Sequence, residues 1–201
     1  MSGSRNDLDL NILKYNLSIA CFKNGTGYGS FISFPQNTMK YFFHIETPLG
    51  FLTASEEDRK LIKLLWGKLT PEGCYRKTSL LEQAENEIQA YFRKELTSFS
   101  IPYYLQGTDF QKEVWNTLAT VPYGSTISYQ ELARKSGHPK ACRAVGTACA
   151  ENPINLIIPC HRIINKSGAT GNYRGGVGRK RQLLILENKE TMLFPHSVIN
   201  L

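Results

Sequence analysis

Cys160 and His161 place a nucleophile beside a base, in the segment NLIIPCHRIINKSG from Asn155 to Gly168. An ionised thiol is a strong nucleophile, and positive charge from His161 and Arg162 would favour ionisation by lowering the thiol pKa. The alternative is ordinary packing, because cysteine in an apolar run is frequently a small buried hydrophobe. The histidine and arginine beside it favour covalent chemistry at Cys160.

The backbone that carries this pair should be a short strand ending at a proline. Leu156 to Ile158 is aliphatic, and Pro159 both lacks a backbone donor and keeps the residue before it extended. Such an ending would bring the thiol to a cleft. Since consecutive side chains of an extended strand point to opposite faces, Cys160 and His161 would interact only through a bent backbone or a bridging water.

The first half of the chain is predicted to be a small antiparallel sheet covered by a helix. Two strand-like runs flank a turn at residues 47–50, and residues 59–69 form a third. The segment SLLEQAENEIQAYFRKEL has apolar residues at helical spacing, a cap at Ser79 and a basic end at Lys94. A further strand is predicted at Tyr15 to Phe22.

The second half is predicted to be mostly helical and to contain a helix-turn-helix. Thr108 should cap a helix that stops at Pro122. A helix around Tyr129 to Lys135, a turn at residues 136–139 and a helix from about Lys140 to Ala150 then form the helix-turn-helix. The last of these helices is rich in small side chains, which permit close approach either to a nucleic-acid groove or to a packed neighbouring helix.

A glycine-rich loop lies after the cysteine and runs from Gly168 to Gly178 into a final helix. Such a loop is suited to cover an active site. Its glycines do not follow a strand as in a dinucleotide site, and the GKS or GKT of a phosphate loop is absent, so phosphate binding is only weakly indicated.

The composition describes a folded chain with a basic excess. Of 201 residues, 41% are hydrophobic and 20% are charged, which is ordinary for a globular protein. The net charge of +7 favours a polyanionic partner, although a modest basic excess also occurs in proteins without one. Many of the cations lie in residues 134–140 and 166–181, in the half that carries Cys160.

Cysteine usage and hydropathy together indicate a reducing compartment. The five cysteines are odd in number and widely spaced, which fits free thiols better than a disulfide framework. No apolar run reaches the length of a membrane helix and the first residues are too polar for a signal peptide, so we expect a cytoplasmic protein, nuclear or nucleoid-associated in a eukaryotic cell. No cofactor and no metal are expected, with zinc at His138, Cys142 and Cys149 as a lesser alternative.

Four motifs occur in a fixed order along the second half: ISYQELA, PKACRAVGTACAENP, IPCHRII and GNYRGG. Together they resemble the O6-alkylguanine-DNA alkyltransferases, or methylated-DNA–protein cysteine methyltransferases. The resemblance is strong over about residues 106–188 and diffuse before them. It implies an α/β (α+β) fold, with a ribonuclease H-like sheet-plus-helix domain over residues 1–105 and a mostly helical alkyltransferase and DNA-binding domain over residues 106–201.

The resemblance implies catalytic roles for five residues. Cys160 would accept the alkyl group, His161 would act as base through a water, and Glu187 would orient the imidazole. Asn152 would brace the bend that leads to the cysteine. Tyr129 would press on the target phosphate and donate toward the leaving guanine.

The resemblance also implies contacts with the target base and with DNA. Tyr173 and the backbone amides of Arg174 and Gly175 would hold the O6 edge of guanine, although Arg174 replaces the family's usual small hydroxyl residue and puts the pocket width in question. Arg143 would fill the space left by a flipped nucleotide. The surface that meets the duplex would comprise Tyr129, Ala141, Cys142, Arg143, Ala144 and Gly146.

The implied reaction is DNA repair by direct reversal of damage. A monomer bound to the minor groove without sequence preference would transfer the alkyl group of O6-alkylguanine to Cys160, once and irreversibly, with O4-alkylthymine open as a second substrate. From the residues alone two other functions stay open. One is a Cys-His-Glu thiol hydrolase, and the other is a non-catalytic DNA-binding regulator in which Cys160 is only core.

Overall fold

A computed structural model describes residues 39–188 of the chain. The strand predicted at Tyr15 to Phe22 lies outside these residues. None of the helices in the described part of the chain has the length and apolar character needed to cross a membrane.

The turn predicted at residues 47–50 joins the first two strands of a four-stranded sheet. The strands are β1 (Tyr41–Thr47), β2 (Gly50–Glu57), β3 (Lys60–Trp66) and β4 (Cys74–Tyr75). Their order is β3-β2-β1-β4, with β4 parallel to β1 and the other pairs antiparallel. Gly50 takes a φ of +102°, a conformation that glycine adopts without steric cost, and the three predicted strands are confirmed.

Helix α1 (Ser79–Phe92) packs on this sheet. Its cap differs from the prediction: Thr78, not Ser79, precedes the first turn, and its hydroxyl accepts a hydrogen bond from the Leu81 amide at 3.2 Å. Serine is already inside the helix because the threonine is the residue with extended backbone angles. The helix ends shortly before Lys94, which has a φ of +62°.

The second half is mostly helical, as expected. Thr108 and Gln111 form a reciprocal capping box at the start of the first helix of this half. The 3-10 turn Cys160–Arg162 lies among these elements. In chain order they are α2 (Asp109–Ala119), β5 (Ile127–Ser128), α3 (Tyr129–Lys135), α4 (Cys142–Ala150), β6 (Ile163–Ile164) and α5 (Val177–Glu187).

Helices α3 and α4 form the predicted helix-turn-helix and pack against each other. Gly137 in the turn has a φ of +84°. Helix α4 begins at Cys142, two residues later than expected, because Ala141 has non-helical backbone angles and acts as its cap. Strand β5 pairs in parallel with β6, so the start of α3 is joined to the strand that follows Cys160.

The segment before Cys160 is not the strand predicted for Leu156 to Ile158. It forms a series of turns, in which Leu156 is buried with a φ of +68° and the Ile158 amide donates to the carbonyl of Ile154 at 3.0 Å. The apolar side chains are buried by packing, and the backbone satisfies its polar groups locally instead of in a ladder. Aliphatic composition therefore indicated burial correctly and strand geometry wrongly.

Strand β3 holds the beginning of this segment in place. The Leu64 amide donates to the carbonyl of Pro153 at 2.9 Å, and the Asn155 amide donates to the carbonyl of Leu64 at 2.8 Å. The first-half sheet thus fixes the backbone that leads to the cysteine.

Candidate active site

Cys160 lies at the first position of the 3-10 turn and at the wall of a cleft. Its side chain is 4% exposed, and the cleft has a volume of about 390 Å³. Helices α3 and α4 and the glycine-rich loop supply the rest of the lining. The lining residues are Tyr129, Gly146, Cys149, Ala150, Glu151, Cys160, Asn172, Tyr173 and Arg174.

Asn152 fixes both the turn and the sulfur. Its Nδ2 donates to the carbonyl of Ile158 at 2.7 Å and to Cys160 Sγ at 3.2 Å, and its Oδ1 accepts from the Ile154 amide at 3.0 Å. The side chain is 1% exposed. One buried amide therefore satisfies two backbone groups of the turn and directs a donor at the thiol.

His161 points away from the cleft lining and toward the end of α5. Its Nε2 lies 2.8 Å from Glu187 Oε1, and neither side chain is exposed. The backbone at Cys160 and His161 is bent into a 3-10 turn, in which consecutive side chains are related by about 120° instead of pointing to opposite faces as in an extended strand.

Glu187 accepts hydrogen bonds from several parts of the fold. Arg162 donates to both of its oxygens at 2.9 Å, and the hydroxyl of Tyr91, on α1, donates to Oε1 at 2.7 Å. Burial alone would raise the pKa of this carboxyl, but the hydrogen bonds from His161 and Arg162 outweigh it and lower the pKa to about 2. Glu187 is therefore ionised at neutral pH.

The charge on Glu187 sets the tautomer of His161. An ionised carboxylate only accepts, so Nε2 carries the hydrogen of this pair and Nδ1 offers a lone pair. Burial lowers the pKa of His161 against the opposing effect of Glu187, which keeps the ring neutral. Nδ1 is buried and has no hydrogen-bond partner among the described residues. Its lone pair is therefore available to accept a proton.

The thiol pKa differs from the expectation. Burial raises the pKa of Cys160 to about 11, and the cations that oppose this rise are Lys180 and Arg174, with the Asn152 hydrogen bond, and not His161 or Arg162. The physical reason is that Arg162 is paired with Glu187 and that His161 is neutral. The resting sulfur is a thiol.

The glycine-rich loop closes over the cysteine through close aromatic contacts. The Trp66 indole, at the end of β3, donates to the hydroxyl of Tyr173 at 2.9 Å. Gly175 lies against both rings: a Cβ there would come within 2.3 Å of Trp66 Cδ1 and 2.6 Å of Tyr173 Cε1. Only glycine lets the loop approach the tryptophan this closely.

The residues predicted to meet DNA lie on two neighbouring surfaces. Tyr129, half-buried at the start of α3, lines the cleft, as does Gly146 beside its ring. Arg143 is exposed on the first turn of α4, away from the cleft lining, and so are Cys142 and Ala144, with Ala141 partly exposed before them. The tyrosine and the glycine thus belong to the pocket, and the other four belong to the helix surface beside it.

The lesser zinc alternative has no support in the described residues. His138 Nε2 is 2.7 Å from Glu113 Oε2, and Cys149 lines the cleft. No group of three metal-binding side chains occurs among residues 39–188.

Comparison with known proteins matches both halves of the chain to one family. Residues 40–105 match the ribonuclease-like domain of 6-O-methylguanine DNA methyltransferase, and residues 109–189 match its DNA binding domain. The chain belongs to this family.

Curated relatives and solved structures agree with the family models. A methylated-DNA–protein-cysteine methyltransferase of Methanosarcina acetivorans is 40% identical over 73% of this chain and 97% of its own, and one of Mycobacterium bovis is 42% identical over 74% and 93%. The crystal structure of Mycobacterium tuberculosis OGT in complex with DNA is 42% identical, covers 73% of this chain and 92% of its own, and superposes with a TM-score of 0.69.

Several site residues escaped the sequence analysis because their partners are remote along the chain. Tyr91 and Trp66 reach the site from the first half, and nothing in their local sequence marks them. Lys180 is fully buried on α5, donates to the carbonyls of Ile163 and Asn172, and has its pKa lowered by burial to about 8. The one available signal was the spacing of Lys180, three and four residues before Leu183 and Leu184, which places all three side chains on one face of a helix.

We expect the reaction of Cys160 with a small alkylating reagent to accelerate with pH toward about 11, because burial holds the sulfur in its protonated form. Lys180→Met should raise the thiol pKa further, since it removes a nearby cation. The measurement is the iodoacetamide rate at Cys160 by peptide mapping, with Arg181→Met, exposed on the same helix, as the control. An apparent pKa below the ordinary value of 9.0 would contradict this account.

Proposed function

We propose that this protein repairs DNA by transferring the alkyl group of O6-alkylguanine to its own Cys160. The observation that carries the proposal is a thiol on the wall of a cleft, with a buried His161–Glu187 pair behind it and a helix-turn-helix beside it. The family membership supports the same activity. The enzyme activity is therefore the transfer of an alkyl group from DNA to a cysteine of the protein itself.

The thiol must lose its proton as the reaction proceeds, because it is protonated at rest. His161 offers Nδ1 as the acceptor, through a bridging water, and Glu187 stabilises the imidazolium that forms. Lys180 stabilises the developing thiolate by its charge. In this scheme His161 removes the thiol proton only when the substrate reacts, and the resting protein does not carry a thiolate.

The reaction forms a bond between sulfur and the alkyl carbon and breaks the bond between that carbon and O6. Tyr129 and Tyr173 face the cleft where the purine would lie, and Tyr129 donates toward the leaving guanine while the loop at Tyr173–Gly175 holds its O6 edge. Burial raises the pKa of both phenols, to about 12 for Tyr129, so both remain hydrogen-bond donors. The thioether product offers no carbonyl to water, and each molecule reacts once.

The target base must leave the duplex, because Cys160 is too deeply buried to reach a stacked purine. We propose that α4 lies in the minor groove, where Cys142, Arg143 and Ala144 are exposed, and that Arg143 replaces the flipped nucleotide. Binding would then depend on phosphate contacts and groove shape and would be independent of sequence.

Three further features belong to the same proposal. The domain boundary lies near residues 105–106, which is supported by the separate matches to residues 40–105 and 109–189. The protein is also proposed to act as a monomer. It works in a reducing compartment such as the cytoplasm, where Cys160 and the three other described cysteines stay free.

The test is to mix the full-length protein with a duplex containing O6-methylguanine and to measure intact mass and peptide maps. We expect one methyl group per protein at Cys160, none with Cys160→Ser, and normal transfer with the control Cys74→Ser on β4. An unchanged mass would favour a non-catalytic DNA-binding regulator. Steady turnover of an activated ester with a regenerated thiol would favour a hydrolase.

Alkylation is expected to destabilise the protein. A methyl group on the sulfur must fit where Asn152 now donates to it, beside the turn at Pro159, and overpacking of a buried site costs about 1–3 kcal/mol. For a chain of this size the melting temperature should fall by about 2–12 °C. Scanning fluorimetry before and after reaction measures the change, and equal melting temperatures would show that the turn accommodates the adduct.

A further inference from the structure

The cleft has a cation with free donors at its rim. Arg174 is exposed in the loop before α5 and lines the cleft together with Cys160. The charge of Arg174 acts on the Cys160 sulfur, because it lowers the pKa of that thiol against the larger rise caused by burial. Within residues 39–188 the guanidinium forms neither an ion pair nor a hydrogen bond, so its donors remain available to a ligand.

The backbone that carries Arg174 is anchored on both sides. Tyr173 is buried and bonded to Trp66, and the carbonyl of Gly175 accepts a hydrogen bond from Arg179 at 2.8 Å. Arg179 also donates to the carbonyl of Leu49 at 2.8 Å, in the hairpin of the first sheet. The arginine therefore projects from a fixed point of the cleft rim.

The other charged groups near the sulfur are already engaged. Glu151, at the end of α4, also lines the cleft, but its carboxylate accepts a hydrogen bond from Gln111 Nε2 at 2.6 Å. Lys180 is buried and directs its ammonium to the carbonyls of Ile163 and Asn172. Arg174 is thus the described cation whose donors face the cleft without a protein partner.

We propose that Arg174 makes the cleft selective for O6-alkylguanines whose alkyl group carries a carboxylate, such as O6-carboxymethylguanine. This inference rests on the proposed function and specifies its substrate. A methyl group offers a guanidinium nothing to bind, whereas a carboxylate matches its planar pair of donors. Glu151 lies in the same lining and opposes an anion, so it moderates the preference.

The transfer of such a group balances without any added reactant. Cys160 Sγ forms a bond with the methylene carbon, the bond between that carbon and O6 breaks, and the thiol proton ends on N1 of the restored guanine. The product is S-carboxymethylcysteine at position 160, with its carboxylate beside Arg174.

The test compares three duplexes of identical sequence in single-turnover reactions followed by intact mass. They contain O6-carboxymethylguanine, its neutral isostere O6-carbamoylmethylguanine, or O6-methylguanine. The isostere matches the carboxylate in size, and the intrinsic difference in alkyl reactivity between the two is the same for every variant. The change in the ratio of the first two rates between variants therefore reports the charge at the cleft rim. We expect this ratio to be about threefold higher in the unmodified protein than in Arg174→Gln, because exposed charge pairs contribute little more than this.

Three variants and added salt test whether the charge of Arg174 sets this ratio of rates. Arg174→Gln should lower the ratio about threefold, Glu151→Gln should raise it, and Arg181→Gln, exposed on α5 outside the cleft lining, should leave it unchanged. Added salt should reduce the ratio in the unmodified protein and not in Arg174→Gln.

The same ratio in the unmodified protein and in Arg174→Gln would overturn the inference. So would an Arg174→Gln variant that slows all three substrates equally, since that pattern assigns the arginine to a DNA phosphate. These outcomes differ from a failure of the proposed function, in which no methyl group would be transferred from O6-methylguanine to Cys160.

Discussion

Glu187→Gln is expected to slow alkyl transfer by at least about a hundredfold and to destabilise the fold by about 3–5 kcal/mol. The carboxylate is 2% exposed and accepts hydrogen bonds from His161, Arg162 and Tyr91. An amide cannot neutralise the buried guanidinium of Arg162, and it offers only one accepting oxygen to these donors. The same change removes the charge that stabilises an imidazolium at His161.

The measurements are single-turnover transfer from O6-methylguanine and denaturant unfolding of the same samples. Glu95→Gln is the matched control, because its carboxylate pairs with Arg93 on the exposed surface and its loss should leave the stability nearly unchanged. If Glu187→Gln keeps both its rate and its stability, the buried carboxylate serves neither purpose.

The carboxylate also sets a pH dependence of stability. Its pKa is about 2 in the fold against 4.5 ordinarily, so its contribution is fully present above about 4.5 and is lost as the pH falls toward 2. Unfolding free energies of Glu187→Gln should therefore change less over this acid range than those of the unmodified protein.

Gly175→Ala is expected to destabilise the protein by about 1–3 kcal/mol and to slow transfer by about a hundredfold. The added Cβ would lie 2.3 Å from the indole of Trp66 and 2.6 Å from the ring of Tyr173. Both rings are held by their mutual hydrogen bond, so the loop has to move away from the sheet. The wall of the cleft above Cys160 moves with it.

Gly178→Ala is the matched control, because it makes the same substitution three residues further along the chain at a site without close neighbours. No atom lies within 4 Å of the Cβ that it would add, and it stands in the first turn of α5. Alanine there should stabilise the helix by up to about 1 kcal/mol. Equal transfer rates for Gly175→Ala and Gly178→Ala would show that close packing on Trp66 is dispensable.

The local elements of the fold could be predicted from local residues. Alternating apolar runs around the turn at residues 47–50 correctly indicated the hairpin, and Thr108 correctly indicated a helix start. The turn at residues 136–139 correctly separated two helices. These features depend on side-chain spacing and on turn residues, which act within a few positions of one another. Thr78 and Ser79 are both residue types that cap helices, and the cap is Thr78 because its backbone is extended whereas Ser79 is already helical.

The prediction for the segment at Leu156 to Ile158 was wrong for a different reason. An aliphatic run of this length indicates burial, and burial is compatible with a strand or with packed turns. Asn152 decides between them, because its amide satisfies the carbonyl of Ile158 and leaves no need for a partner strand. That bond spans six residues and depends on where α4 ends.

The sequence by itself determined which residue is the nucleophile candidate, which histidine lies next to it and which helices follow one another, because these depend on residue type and on order along the chain. The carboxylate Glu187 was implied by the family resemblance. Only the tertiary structure decided the state of the site. Burial keeps Cys160 protonated, and Glu187 holds Arg162, so that cation is unavailable to the sulfur. Tyr91 and Trp66 join the site from the first half of the chain. Desolvation and contacts between distant segments exist only after folding, so no local pattern could reveal them.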